Sequence, residues 1–377
     1  MAQQLSSAMG QARLAARVRG MLGVEEDPNL KVGLNGFGRR GRLLCRAIRE
    51  ASGIDLVAIN DPYIDVDYMA HMLQHDRVRG PYRGSVVADS GGLLLDGKPV
   101  TVTAHVDPGD INWFKAGARY VVECSGAFET QRTASAHLRG GAVRVVVAAP
   151  CRDAPTYVMG VNHLRYADEP CVSAGSAPTH CLALLAKAVD DAFGIDVACA
   201  NVLLAQQPAQ LEQVTPGPSG AGCDGWRSGR GGGVDIVPSA SDAVDATRLL
   251  LPELADRLHG AAYRVPAPGG VSLIDLTVSL RQPAELREIM RAMRAAADSP
   301  ALRGRLGYRE DAVRSGADFA SDGRSAVFDG HTSVALSPTF AKLAAWFDNE
   351  WPYARRVVEL LLHIQAVEHG VPHEALV

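Results

Sequence analysis

One stretch, LKVGLNGFGRRGRLLCRAIRE over 30–50, limits what this chain can fold into more than any other. An apolar run gives way to Gly36, Phe37, Gly38, Arg39, Arg40 and Gly41, after which Leu43, Leu44, Ala47 and Ile48 recur at helical spacing. A glycine-rich turn alone is a weak signal; between a strand and a helix it is a strong one. The run IDLVAIN predicts a second strand, followed by Asp61, twenty residues past Gly41. Strand, glycine turn, helix, strand and acid make up a βαβ unit suited to a dinucleotide. Gly36 permits the tight turn, Gly38 lets a pyrophosphate approach the main chain, and Gly41 lets helix pack on strand. The pyrophosphate is expected on the helix N-terminus, where unpaired N–H groups and the helix dipole meet it. A carboxylate at Asp61 suits the adenosine ribose hydroxyls and repels a 2′-phosphate, so NAD is expected rather than NADP. The runs YVVECSGAF and RVVVAAP, with a helical segment ETQRTASAHLRGG between them, extend the unit into a doubly wound α/β sheet. Loops after such strands face the cofactor, which brings in Ser125, Gly126 and the segment Ala148-Ala149-Pro150.

The chain has 377 residues, enough for two domains. Its formal net charge of −4 gives no overall attraction to nucleic acid or to an anionic membrane, and no apolar run reaches the length of a membrane span. Seven cysteines are scattered without CxxC spacing or Cys/His pairing, so no metal site is expected. That odd thiol count points to a reducing, cytoplasmic setting. Residues 1–24 carry no acid, while Arg13, Arg17 and Arg19 recur beside Ser6 and Ser7. Two readings of this segment stand: a solvated helical extension, or an organellar presequence.

Several segments in order, KVGLNGFGRRGRLL, AINDPYIDVDYMAHMLQHD, VMGVNH, GPSG, LPEL, YRVP and WFDNEWPYARRV, resemble the glyceraldehyde-3-phosphate dehydrogenase family over roughly 31–366. The resemblance implies a Rossmann nucleotide domain, an α+β catalytic-type domain, and a C-terminal helix that returns to the first. It sets expected bounds of 1–30 for an extension, 31–175 with 345–377 for NAD binding, and 176–344 for the catalytic-type domain. It also implies NAD as cofactor, Asn349 against the nicotinamide amide, and a tetramer.

The same resemblance implies a nucleophilic cysteine at the start of the helix in SAGSAPTHCLALLAK, with a histidine that lowers its pKa and accepts a proton. Ala177 stands at the cysteine position and Pro178 at the next, and counting back from GPSG puts Gln206 at the histidine position. Alanine has no nucleophile, and glutamine cannot shuttle a proton near neutral pH. Of the residues implied to hold the substrate's phosphates, Ser176, Ser241 and Arg264 are retained or mildly changed, whereas Ala209 and Asp242 replace a threonine and a glycine. These changes together predict a family member with no intact catalytic residue, severely impaired in oxidising glyceraldehyde 3-phosphate and serving as a non-catalytic oligomeric partner, homo- or hetero-tetrameric with paralogues. The rival reading is a working aldehyde oxidoreductase that uses Cys181, one helical turn further on, or direct hydride transfer. Ser176 reads as a helix cap and His180 as a hydrogen-bonding histidine. Trp226, Arg227 and Arg230 in a glycine-rich loop read as an interface or solvated loop, too weak a signal for RNA binding.

Overall fold

The computed structural model describes residues 29–76, 79–89, 91–206, 235–267 and 269–370. The N-terminal extension, Ala209, and the loop with Trp226, Arg227 and Arg230 lie outside the described residues. The four apolar runs read from the sequence all enter the first of two sheets of different character. The first contains β1 (Leu30–Asn35), β2 (Ile54–Asn60), β3 (Val86–Asp89), β4 (Gly92–Leu95), β5 (Lys98–Thr103), β6 (Tyr120–Glu123), β7 (Arg144–Val147) and β8 (Cys171–Ser173). Their order is β3-β4-β5-β2-β1-β6-β7-β8, parallel from β5 to β8 with an antiparallel edge at β3 and β4. β6 and β8 are buried at every position, which is why they read as continuous apolar runs: helices cover both faces of a parallel sheet.

Helices α1 (Arg39–Glu50), α2 (Val66–Gln74), α3 (Gln131–Ala134) and α4 (Ala136–Arg139) lie among these strands. α1 buries Leu43, Leu44, Ala47 and Ile48, the stripe expected from spacing. The segment ETQRTASAHLRGG forms the two one-turn helices α3 and α4 instead of a single longer one. Thr130 and Thr133 cap α3 reciprocally, and it stops at Ser135. Serine competes with helix propagation by bonding locally, so a short polar segment divides here.

The second sheet is mixed. It holds β9 (Ile195–Gln206), β10 (Val237–Ser239), β11 (Leu258–Pro266), β12 (Val271–Leu280), β13 (Leu306–Arg309), β14 (Ala326–Ser337) and β15 (Phe340–Asp348), in the order β10-β11-β9-β12-β15-β14-β13. Along β12 fully buried positions alternate with partly exposed ones, as expected where helices cover one face only. The covering helices are α5 (Ala177–Phe193), α6 (Asp242–Leu250) and α7 (Leu286–Asp298). The last helix, α8 (Trp351–His369), leaves the second sheet and packs on α1, placing Val357, Leu361 and Ile364 in the first core. No helix among the described residues is long and apolar enough to cross a membrane.

Candidate functional site

The strand order puts a topological switch between β1 and β6, because the chain builds to one side through β2 and returns on the other. Open α/β sheets bind ligands at such a switch, beyond the carboxyl ends of the strands. The glycine turn follows β1 there, and Ser125-Gly126 follows β6. Their contact is close: a Cβ on Gly36, whose φ is +102°, would sit 2.6 Å from Ser125 Cα. A Cβ on Gly41 would meet the Gly36 carbonyl oxygen at 2.1 Å. Both glycines are therefore demanded by the protein's own packing. Gly38 is not, since a Cβ there would meet nothing within 4 Å. It is also the N-cap of α1, with no side-chain cap and no acid in the first turn, so no side chain of the cap serves the leading N–H groups. A bare main chain, uncapped donors and the positive end of a helix dipole fit a pyrophosphate.

Three strand ends are locked around this cradle. Asp61 is buried; its Oδ2 accepts the Phe37 N–H at 2.8 Å and its Oδ1 the Tyr63 N–H at 3.0 Å. A carboxylate offers about four lone-pair directions, which leaves acceptor capacity for a ribose. Glu123 is also buried and accepts from Asn35 Nδ2 at 2.6 Å, His137 Nε2 at 2.9 Å, Ser125 N at 2.7 Å and Ser125 Oγ at 2.6 Å. Trp113 donates from Nε1 to His137 Nδ1 at 3.1 Å, which fixes the histidine proton on Nε2. Asn60 Nδ2 donates to Asn35 Oδ1 at 2.8 Å, joining β2 to the same network. The sequence drew no attention to Glu123, which is only an acid ending an apolar run.

Arg39 pairs with Glu350, next to Asn349. Arg40, about half exposed, reaches toward Ala148 O at 3.3 Å and Glu129 at 3.9 Å.

Helix α5 begins at the junction of the two cores, where Ala177 packs against both. The Ser176 hydroxyl accepts the Thr179 N–H at 3.3 Å, the capping role expected from sequence. The preceding loop is pinned twice more. Tyr353 of α8 donates to Gly175 O at 2.9 Å, and His180 Nε2 donates to Ala174 O at 2.7 Å. Burial pushes the His180 imidazole down to about 4, against the opposing effect of its carbonyl partner, so it is neutral at physiological pH. Cys181 is fully buried in the second core, and desolvation alone pushes its thiol well above the ordinary range.

Gln206 ends β9 and is buried. Beside it, Asn349 donates from Nδ2 to Ala205 O at 3.1 Å, while its Oδ1 accepts the Ser272 hydroxyl at 2.6 Å. On the adjacent parallel strand β11, Arg264 stands opposite Leu204, with no acidic partner among the described residues. Ser241 is the N-cap of α6, and the exposed Asp242 begins that helix, turned 3.5 Å from Arg152 of the first half.

Two family models cover most of this arrangement: the glyceraldehyde 3-phosphate dehydrogenase NAD binding domain over residues 30–131, and the C-terminal domain of the same enzyme over 176–349. The chain is 45% identical over 340 residues to glyceraldehyde-3-phosphate dehydrogenase 1 of Schizosaccharomyces pombe, covering 90% of this chain and 99% of that one. It belongs to the glyceraldehyde-3-phosphate dehydrogenase family. The Danio rerio enzyme of that name is 46% identical with 90% and 100% coverage, and the cytosolic enzyme of Chondrus crispus is 44% identical with 90% and 99% coverage.

NAD is the cofactor of this family member, and the geometry of the first half suits it. The fold brings Gly36–Gly41, Asp61, Ser125 and Gly126 to the carboxyl edge of one sheet, and Asn349 beside Gln206 at the end of β9. Sequence reasoning missed the polar network centred on Glu123, as well as the part Asp61 plays in holding the glycine turn. It also missed Arg152 as the partner of Asp242. No local pattern marks any of these, because each joins residues from separate strands or separate halves of the chain.

Proposed function

We propose that this protein binds NAD in the glycine turn but does not oxidise glyceraldehyde 3-phosphate at an enzymatic rate, and that it acts as a non-catalytic NAD-bound partner in a family tetramer. The observation that carries the reading lies at the mouth of α5. Its first two residues are Ala177 and Pro178, and the one thiol on that helix, Cys181, is sealed in the second core with its pKa raised. A buried neutral thiol is a poor nucleophile. Gln206 supports the reading from the other side, since an amide offers no proton acceptor of useful basicity. Asp242, paired with Arg152, places a carboxylate at the start of α6 where an anionic substrate group would dock.

In this reading the main chain of Gly36–Gly41 and the first turn of α1 hold the pyrophosphate. Asp61 takes the adenosine ribose, Ser125 and Gly126 line the path, and Asn349 orients the nicotinamide amide. Bound NAD supplies a hydride acceptor. What the described residues lack is a group to hold the aldehyde and a base to take its proton. The retained Ser176, Ser241 and Arg264 leave a partial anion site. A cytoplasmic location follows from the reduced-thiol pattern, with an organellar one if residues 1–24 act as a presequence.

The deciding experiment mixes purified protein with NAD, glyceraldehyde 3-phosphate and phosphate, and measures NAD binding by calorimetry alongside. Binding of NAD with no turnover is the expected outcome. Ordinary turnover overturns the proposal. Cys181→Ser would then separate the two rival routes, since loss of that turnover names the thiol and retention names direct hydride transfer.

A further inference from the structure

At the opposite end of α1 from the glycine turn, a cavity of about 330 Å³ opens between the last turn of α1, the segment after α2 and the start of α8. Arg46, Arg49, Arg79 and Arg83 converge on it, with Tyr82 and Trp351. None of the four arginines belongs to the NAD cradle or to the mouth of α5.

Three of the guanidinium groups are held rigidly. Arg46 donates to Leu73 O at 3.0 Å, Gly80 O at 2.8 Å and Pro81 O at 3.4 Å, all neutral acceptors that leave its charge uncompensated. Arg49 pairs with Asp96 and lies over the Tyr82 ring, 5.2 Å from its centroid. Arg79 donates to both oxygens of Asp348, at 2.6 and 2.8 Å, and to Ser321 Oγ at 2.9 Å. Arg83 is exposed and has no acidic partner among the described residues. The only acid among the lining residues is Glu50, itself exposed. Arg79 also lies 3.8 Å from Glu350, which pairs with Arg39 as well, so that with Arg39 included five guanidinium groups stand against four carboxylates, Glu50, Asp96, Asp348 and Glu350.

We propose that this cavity is a second anion site, which takes the phosphoryl group of a small phosphate monoester. Planar guanidinium forks match phosphate oxygens two at a time, and preset forks lose little freedom on binding. The cavity is far larger than a phosphate ion and sits at the lower end of the range for small-ligand pockets, roughly 300–1,000 Å³. A sugar-sized body attached to the phosphate would fill the remainder, against Tyr82 and Trp351. The inference stands independently of whether the protein turns over an aldehyde.

The test uses full-length, NAD-saturated protein carrying Arg264→Ala, so that the partial anion site near β11 does not contribute. Phosphorus NMR titrations follow inorganic phosphate in one arm and glucose 6-phosphate in the other. Saturable binding is expected in both, tighter for the ester. Arg83→Glu in that background should weaken it at least tenfold and Arg83→Ala by less; circular dichroism should stay unchanged because the side chain is exposed. Equal affinity for the two ligands would keep the phosphoryl site and remove the sugar. The proposal fails if neither ligand binds, or if both Arg83 variants bind as tightly as their parent.

Discussion

The glycine turn and the mouth of α5 are both loops that feed a helix N-terminus, yet they are constrained in different ways. In the glycine turn the backbone dictates the residues: a side chain at Gly36 or Gly41 would overlap Ser125 or the Gly36 carbonyl. At the mouth of α5 the backbone is held by its neighbours, through Ser176, Tyr353 and His180. Ala177 needs only to be small, and Pro178 suits the first turn of a helix, where an N–H has no intrahelical partner. Residues that carry a fold and residues that carry a reaction are separable here. A chain keeps a glycine turn because folding requires much of it, while the first turn of α5 puts few structural demands on the residue at 177.

The strongest way to break this comparison is to restore the chemistry. Ala177→Cys alone should give little turnover of glyceraldehyde 3-phosphate. Combined with Gln206→His it should gain on the order of 10²–10⁴-fold over the single variant, because nucleophile and base act as a unit. Steady-state rates and an acyl-enzyme burst across the single and double variants decide the matter. A double variant no better than the product of its singles would mean that these positions are not the catalytic pair.

The glycine side of the comparison can be sharpened by two similar substitutions. Gly41→Ala forces a Cβ to 2.1 Å from a carbonyl oxygen, so it should cost about 1–3 kcal/mol of stability by analogy with overpacked cores, and abolish NAD binding. Gly38→Ala should leave the unfolding midpoint nearly unchanged and still weaken NAD at least tenfold. Calorimetry and thermal melts on the pair distinguish a glycine kept for the fold from one kept for the ligand. An unaltered NAD affinity in Gly38→Ala would place the pyrophosphate elsewhere.

A third test uses pH. Buried His180 has its folded pKa pushed down to about 4, below the ordinary 6.5. Between those values the unfolded chain binds a proton that the folded one refuses, so stability falls as pH drops from about 6.5 toward 4 and is unaffected by this group above that window. The contribution is up to about 3 kcal/mol. His180→Asn should flatten that part of the urea-unfolding profile relative to its parent. Parallel profiles would show that the histidine is not the cause.

Smaller effects are expected at two further positions. Asp61→Ala should weaken NAD by about 1–3 kcal/mol, the worth of one or two charge-assisted hydrogen bonds, and narrow its preference over NADP. Part of that loss will come through the glycine turn, because Asp61 also holds the Phe37 N–H. Cys181→Ser should leave NAD binding intact and lower stability by about 1–3 kcal/mol, the usual penalty for putting a hydroxyl without a matched partner in an apolar core. In the folded parent this thiol should resist alkylation, and rapid labelling there would contradict its burial.

Much of this molecule was legible from local patterns. The glycine turn, the buried stripe of α1 and the cap at Ser176 each leave a signature within a few residues of sequence, where spacing reports geometry directly, although the turn also packs on Ser125. Glu123 was not legible. An acid at the end of an apolar run looks like a strand terminus meeting solvent, and only the packing of β1 and β6 shows it accepting four hydrogen bonds. The ion pair between Arg152 and Asp242 was hidden for the same reason, as its partners lie ninety residues apart.

By itself the sequence determined that a βαβ unit would form around Gly36–Gly41, that two domains would follow, and that position 177 would present no nucleophile. These are matters of side-chain identity and short-range spacing. Tertiary structure alone decided that Cys181 is sealed in the second core, that Asp61 braces the glycine turn, and that four arginines meet in one cavity. Burial, charge compensation and thiol reactivity depend on what surrounds a group in three dimensions, and the surrounding atoms come from strands and helices far away in the chain.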